Sequence, residues 1–273
     1  MQNRLFVVNK PIFISSNFYL NRIKRKYKVK KAGFSGTLDP FAKGCLIVAF
    51  GQYSKLFRFL KKTPKRYRAT IWLGAVSSSL DIENIIQINQ ATKLTQSLIE
   101  ENFQTLVGNI EYLPPKYSAK RVDGKRAYSL ARDGVNFSMK KIKSTIYNIK
   151  VLHYFHPFIT FEISVSEGSY IRSIAQLFLE KIQQEGTLSY LERLNEGEFI
   201  FDNEKALDPL QYIDLPYNNY SGDKLWFELG KKLDIKYFDK KDNGEYLVVF
   251  DDFFSIIQIT NNDIKYILNK VLL

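Results

Sequence analysis

The sequence has one cysteine, Cys45, and only two histidines, His153 and His156. A single thiol excludes an internal disulfide framework and any metal site built on several cysteines. The histidines stand three residues apart in a stretch patterned as strand, with no cysteine or carboxylate cluster beside them. That is not a zinc site, and a Ser-His-Asp or Cys-His mechanism would have to use one of these two. We read them as a structural pair. Long apolar runs are equally scarce. The longest, residues 45–50, falls far short of the ~20 residues a membrane span needs. No charged-then-apolar leader opens the chain, so the expectation is a cytoplasmic protein with no membrane partner.

What is present is ordinary globular material: 273 residues, 45% hydrophobic and 25% charged, enough for one large domain and a small one. The charge is uneven. Residues 202–273 hold 9 Lys and Arg against 13 Asp and Glu, so of the net +12 the first 201 residues carry +16. A basic body of that size suits a polyanion, nucleic acid first and an anionic membrane second.

Residues 32–51 read AGFSGTLDPFAKGCLIVAFG. Gly33, Gly36 and Gly44 permit left-handed backbone and close approach, and Pro40 keeps Asp39 out of the α region. The pattern is a bent loop presenting one carboxylate, followed by a buried strand over 45–50. An Asp before Pro is by itself an ordinary turn residue. The stretch nevertheless resembles the catalytic motif G-H-x-G-x-L-D-P-x-A-x-G of the TruB family of pseudouridine synthases, the bacterial group that acts at position 55 of tRNA. Gly33, Gly36, Leu38, Asp39, Pro40, Ala42 and Gly44 match, and Phe34 stands where the family has His.

The rest of the chain follows the same family in order. A strand is expected over 4–8. Lys10, Pro11, Ser15 and Ser16 match K-P-x-G-x-[ST]-S, with Phe13 in place of the glycine, so the local turn should differ. A helix over 17–29 carries Phe18, Leu20 and Ile23 inward and ends in seven Lys or Arg between residues 22 and 31, read as phosphate contacts. A helix is expected over 54–62. Residues 65–73 alternate, with Tyr67, Ala69, Ile71 and Leu73 on one face, and Lys65-Arg66-Tyr67 matches the family's K-R-Y. Residues 74–87 read as a loop in which only Gly74 and Asp81 match, so that contact should be weakened or rewired. A helix over 95–107 is capped by Thr95 and stopped by Gly108.

Residues 114–134, PPKYSAKRVDGKRAYSLARDG, match the family's RNA-binding insertion at Tyr117, Ser118, Ala119, Gly124, Tyr128, Ala131, Arg132 and Gly134. Its interleaved cations and aromatics suit phosphates and unstacked bases. Strands over 142–155 and 158–166 flank His156-Pro157. Gly168 to Arg172 match G-[ST]-Y-[IV]-R, and a helix runs on through 181. Arg172 sits in its first turn, where the macrodipole disfavours a cation, so a carboxylate partner is expected. Residues 190–194 match a further segment, and the loop-rich region near 215 marks a boundary.

The resemblance implies an α+β pseudouridine synthase fold: a mixed, largely antiparallel central sheet flanked by helices. It assigns residues 1–214 to the catalytic domain and 215–273 to a small β-rich unit of the PUA type. It implies isomerisation of uridine in tRNA, at U55 of the T-loop, without cofactor or metal and with no obligate protein partner. Asp39 would be the essential carboxylate, either adding covalently or removing a C2′ proton. Arg172 would pair with it and lower its pKa. Tyr67 would stack on the uracil and assist C5 deprotonation, and Tyr170 would hydrogen-bond nearby. Lys10 and Leu191 would line the pocket, Phe34 would act as a wedge beside the flipped nucleotide, and Asp81, Tyr117, Lys125 and Arg132 would contact the T-arm stem-loop. The alternatives are a synthase for another RNA, such as rRNA, or a non-catalytic RNA-folding module. The 114–134 segment favours tRNA, and Asp39, Tyr67 and Arg172 argue for catalysis.

Overall fold

The computed structural model describes residues 3–273. The chain opens with β1 (Arg4–Lys10) and α1 (Ser16–Lys26), followed by β2 (Ala32–Ser35), β3 (Lys43–Phe50) and β4 (Lys65–Leu73). A ribbon of β5 (Ala75–Ser77) and β6 (Ile85–Ile88) leads to α2 (Gln96–Gln104) and β7 (Gly108–Tyr112). A second small ribbon, β8 (Arg121–Val122) and β9 (Lys125–Arg126), carries the short α3 (Ala127–Arg132). The long hairpin β10 (Ile142–Phe155) and β11 (Phe158–Val165) precedes α4 (Ile171–Lys181), β12 (Gly186–Glu196) and β13 (Phe199–Ile200). The C-terminal region holds α5 (Leu225–Glu228), β14 (Gly244–Val249), β15 (Phe253–Thr260) and β16 (Asp263–Leu272).

The central sheet runs β1-β3-β12-β4-β11-β10-β7, with β2 on β3 and β13 on β12. Every pairing is antiparallel except β3 with β12. Strand alternation decides its faces: in β4, Lys65, Tyr67, Ala69, Ile71 and Leu73 are buried, and in β11, Ile159, Phe161, Ile163 and Val165 are buried. α2 and α4 cover that face, where Phe103 stacks on Phe178 with ring centroids 3.8 Å apart. Burying side chains of this size contributes roughly 1.5–3 kcal/mol each.

Two local expectations change. In place of an α-helix over 54–62 there are two 3₁₀ turns, Gly51–Lys55 and Phe57–Phe59. Nine residues nucleate a helix poorly, and here the backbone is claimed elsewhere: Lys61 N donates to Tyr212 O and Asp214 N to Phe59 O. Residues 74–87 are not an open loop but the β5–β6 ribbon, whose turn buries Asp81. Phe13 adopts φ 59, a left-handed conformation that glycine takes most readily, at 60% exposure.

The three-stranded C-terminal sheet has an apolar cluster of its own, including Phe227, Phe238, Phe253 and Ile257. Its other face belongs to a cluster shared with the main body, in which Leu247, Phe254, Ile256 and Val271 join Leu5, Val7, Ile47 and Leu56.

Candidate active site

The site begins where β3 changes neighbours. β2 pairs with residues 47–50 of β3, whereas β12 pairs in parallel with residues 43–44. The segment from Gly36 to Ala42 leaves the sheet at this junction. Ala42 N donates to Asp39 O at 3.1 Å, closing the turn around Pro40. Ser16, the first residue of α1, clamps the turn through its hydroxyl: it donates to Leu38 O at 3.0 Å and accepts from Leu38 N at 2.9 Å.

Arg172, buried in the first turn of α4, faces this turn. Its Nη2 lies 2.8 Å from Asp39 Oδ2 and its Nη1 2.9 Å from Asp81 Oδ2. It also donates to Ser79 O at 2.8 Å and Tyr117 O at 2.9 Å. The cation that the helix dipole disfavours is thus held by two carboxylates and two carbonyls. Burial pushes the Asp39 carboxyl above its ordinary range; Arg172 pulls it down, and Asp81 adds to the upward push. The expected lowering by Arg172 is therefore present but outweighed by desolvation.

Asp39 and Arg172 divide two cavities. The smaller, about 300 Å³, is walled by Tyr67, Tyr170, Ile171, Leu191, Lys65 and Arg193. The larger, about 940 Å³, runs past Phe34, Tyr117, Arg126, Tyr128 and Arg132. Tyr67 keeps its phenolic proton, because burial raises its pKa against the pull of Arg193. Phe34 is half-buried on β2, partly packed against the α1 core and partly lining the larger cavity. Arg132 stands over the Tyr128 ring, 5.7 Å from its centroid.

Two expected site residues sit differently. Lys10 is fully buried and does not line the pocket: its Nζ donates to the carbonyls of Pro11, Ile14 and Pro40 at 2.9, 2.8 and 3.3 Å. Burial lowers its pKa to about 8, although Asp39 works in the opposite direction. Asp81 is 1% exposed and spends its oxygens on Arg172, Ser79 Oγ and Glu83 N, which makes it a second anchor for the arginine. Lys125 is exposed on the β8–β9 ribbon.

The TruB family pseudouridylate synthase N-terminal domain matches residues 24–171, which include Asp39, Tyr67, Asp81 and Tyr170 of this cleft. The chain belongs to the TruB family. A relative from Sulfurovum sp. (strain NBC37-1), named tRNA pseudouridine synthase B, is 55% identical over 98% of this chain and 97% of its own length. One of the same name from Campylobacter concisus is 52% identical over 98% of both chains. Among solved structures, a chain from an H/ACA RNP bound to a substrate RNA containing 2′-deoxyuridine superposes with TM-score 0.67 at 17% identity, covering 99% of this chain and 85% of that one. A chain from a Cbf5-Nop10-Gar1 complex gives the same score and identity over 84% of its length. These share the TruB fold: a mainly antiparallel α+β body followed by a β-rich C-terminal region.

Sequence reasoning missed a cluster of buried charges in this TruB-family cleft. Lys65, Arg193 and Glu196 have side-chain exposures of 6%, 2% and 0%. The alternation that places Tyr67 inward carries Lys65 to the same face, and that parity was the available signal. Nothing local announces Glu196, whose role depends on β12 lying beside β4.

Proposed function

We propose that this tRNA pseudouridine synthase acts on U55 of the T-loop, with Asp39 as the group that opens the N1–C1′ bond. The observation that carries the reading is the position of the Asp39 carboxylate, paired with Arg172 at the meeting point of the two cavities. A flipped uridine would enter the smaller cavity with Tyr67 and Leu191 against the base and Tyr170 beside it, while flanking nucleotides follow the larger one. Arg126, Tyr128 and Arg132 there supply cations and stacking faces, and Phe34 supplies a flat surface at the mouth. In either chemical role the carboxylate must be ionised and held still; Arg172 favours the first against the cost of burial and supplies the second. The choice of tRNA is supported by the names of relatives that match along nearly their full length, and the choice of U55 by the 114–134 segment. In the same reading residues 1–214 form the catalytic domain, residues 215–273 are appended to it, and the enzyme works in the cytoplasm on the T-arm without an obligate protein partner. No helix among the described residues is long and apolar enough to cross a membrane.

The test is Asp39→Asn assayed on unmodified tRNA, with pseudouridine mapped by mass spectrometry. Turnover at position 55 should fall by at least about a hundredfold while tRNA binding stays within a few fold. Near-normal turnover, or product at another position, would overturn the assignment.

A further inference from the structure

The buried cluster that the mechanism above leaves unused is organised like the rest of the site. Lys65 Nζ lies 2.7 Å from Glu196 Oε2, and Arg193 Nη2 lies 2.8 Å from Glu196 Oε1. Arg193 is fixed further by donating from Nε to Cys45 O and from Nη2 to Gly36 O, both at 2.8 Å. Gly36 rests directly on the cluster: a Cβ there would come within 3.1 Å of Lys65 Nζ and Glu196 Oε2 and 3.2 Å of Arg193 Nη1. The turn that carries Asp39 is thus seated on these charges, and Lys65 and Arg193 both line the smaller cavity.

The charges do not cancel. Two cations share one carboxylate. Glu167 is 3.8 Å from Lys65, but it sits at the rim, 55% exposed, and is engaged by Lys62 at 3.0 Å. Across the cavity Asp39 and Asp81 share Arg172, with the buried Lys10 as a further cation acting on Asp39. The cavity is therefore lined by the Asp39 carboxylate and, separately, by a Lys65–Arg193 wall whose excess positive charge is buried and poorly screened.

Cleavage of a uridine glycosidic bond separates charge in the same sense. The N1–C1′ bond breaks with its electron pair passing to the base, whether Asp39 bonds to C1′ or takes the C2′ proton. C1′ becomes electron-poor, and the uracil leaves as an anion delocalised over N1, O2 and O4. We infer that Lys65 and Arg193, held by Glu196, form an electrostatic cradle for the departing uracil anion, while Asp39 serves the sugar. Fixed buried charges aimed at developing charge need no reorganisation as the bond breaks. The inference rests on the uridine occupying the smaller cavity, as proposed above.

The test uses Lys65→Gln, which keeps a donor for Glu196 but removes the charge. Its single-turnover rate is measured on tRNA carrying uridine and on the same tRNA carrying 5-fluorouridine at the target. Fluorine withdraws electrons, so 5-fluorouracil is the more stable anion and needs the cradle less. Uridine consumption should slow by about a hundredfold and 5-fluorouridine consumption by distinctly less, with tRNA affinity within a few fold, both rates being measured well below the variant's lowered melting temperature. Lys65→Arg should restore most of the uridine rate. Equal slowing of both substrates, or no slowing of either, would overturn the inference. Should Lys65→Gln not fold, Glu167→Gln carries the test with the opposite sign. Removing that rim anion should raise the uridine rate about twofold, and an unchanged or lower rate would refute the cradle. A wild-type enzyme that forms no pseudouridine would instead refute the functional reading.

Discussion

Two titrating groups frame the catalytic turn, and their burial predicts a pH profile. In the role proposed for it, Asp39 must be ionised. Burial raises its pKa, so the acid limb of kcat/KM should have its midpoint above the ordinary carboxylate value of ~3.9. Lys10 acts at the other side. Below its pKa of about 8 it is an ammonium with a proton for each of its three carbonyls. Above that it has two, and the turn at Pro40 loses a donor, so the rate should fall again. The contribution of Lys10 to stability has the opposite sign. From about 8 up to ~10.4 the unfolded chain binds this proton and the folded chain does not, so its contribution rises with pH. Rate profiles and melting curves over the same pH range check both statements; a rate that stays flat through pH 8 would exclude Lys10 from control of the turn.

At the scale of an element, α1 shows how a charge run divides into separate tasks. Ser15 caps it, accepting from Phe18 N at 3.1 Å, while Leu20 and Ile23 bury one face. Of its basic residues, Lys26 is taken up by Glu204 at 2.6 Å. Lys24, Arg25, Lys28 and Lys30 instead border an open groove of about 590 Å³. Neutralising Lys24 and Lys28 to Gln should reduce the magnitude of the log–log salt slope of tRNA binding by about 0.9 for each phosphate no longer neutralised. Lys26→Gln should change it less. Equal slopes for wild type and the double variant would make the run a solvated face only.

For the whole molecule, the decisive interface is the one beneath the C-terminal sheet. Truncation after residue 214 would strip Leu247, Phe254, Ile256 and Val271 from the cluster they share with Leu5, Val7 and Ile47. Each such side chain is worth roughly 1.5–3 kcal/mol, against a total stability of about 5–15 kcal/mol for a domain. The truncated chain should therefore melt at much lower temperature than the full chain, or aggregate, by calorimetry and gel filtration. A monomeric 1–214 fragment with an undiminished melting temperature would show that the clusters are independent.

The sequence by itself determined most of the strands and helices, though not the 3₁₀ turns over 51–59 or the β5–β6 ribbon, and it determined which loop carries the lone carboxylate. Those properties follow from side-chain period, turn chemistry and capping, all of which act over a few residues. The alternation in β4 and β11, the Thr95 cap and the bend before Pro40 were legible for that reason, and so was the need of Arg172 for a carboxylate. Only the tertiary structure decided that Arg172 serves Asp39 and Asp81 together, that Lys10 lies beneath the pocket rather than in its wall, and that Lys65 meets Glu196 across 131 residues. Pairing between buried charges depends on which strands become neighbours. The parallel junction of β3 with β12, on which the Arg193 contacts to Gly36 and Cys45 depend, leaves no mark in either strand's own pattern.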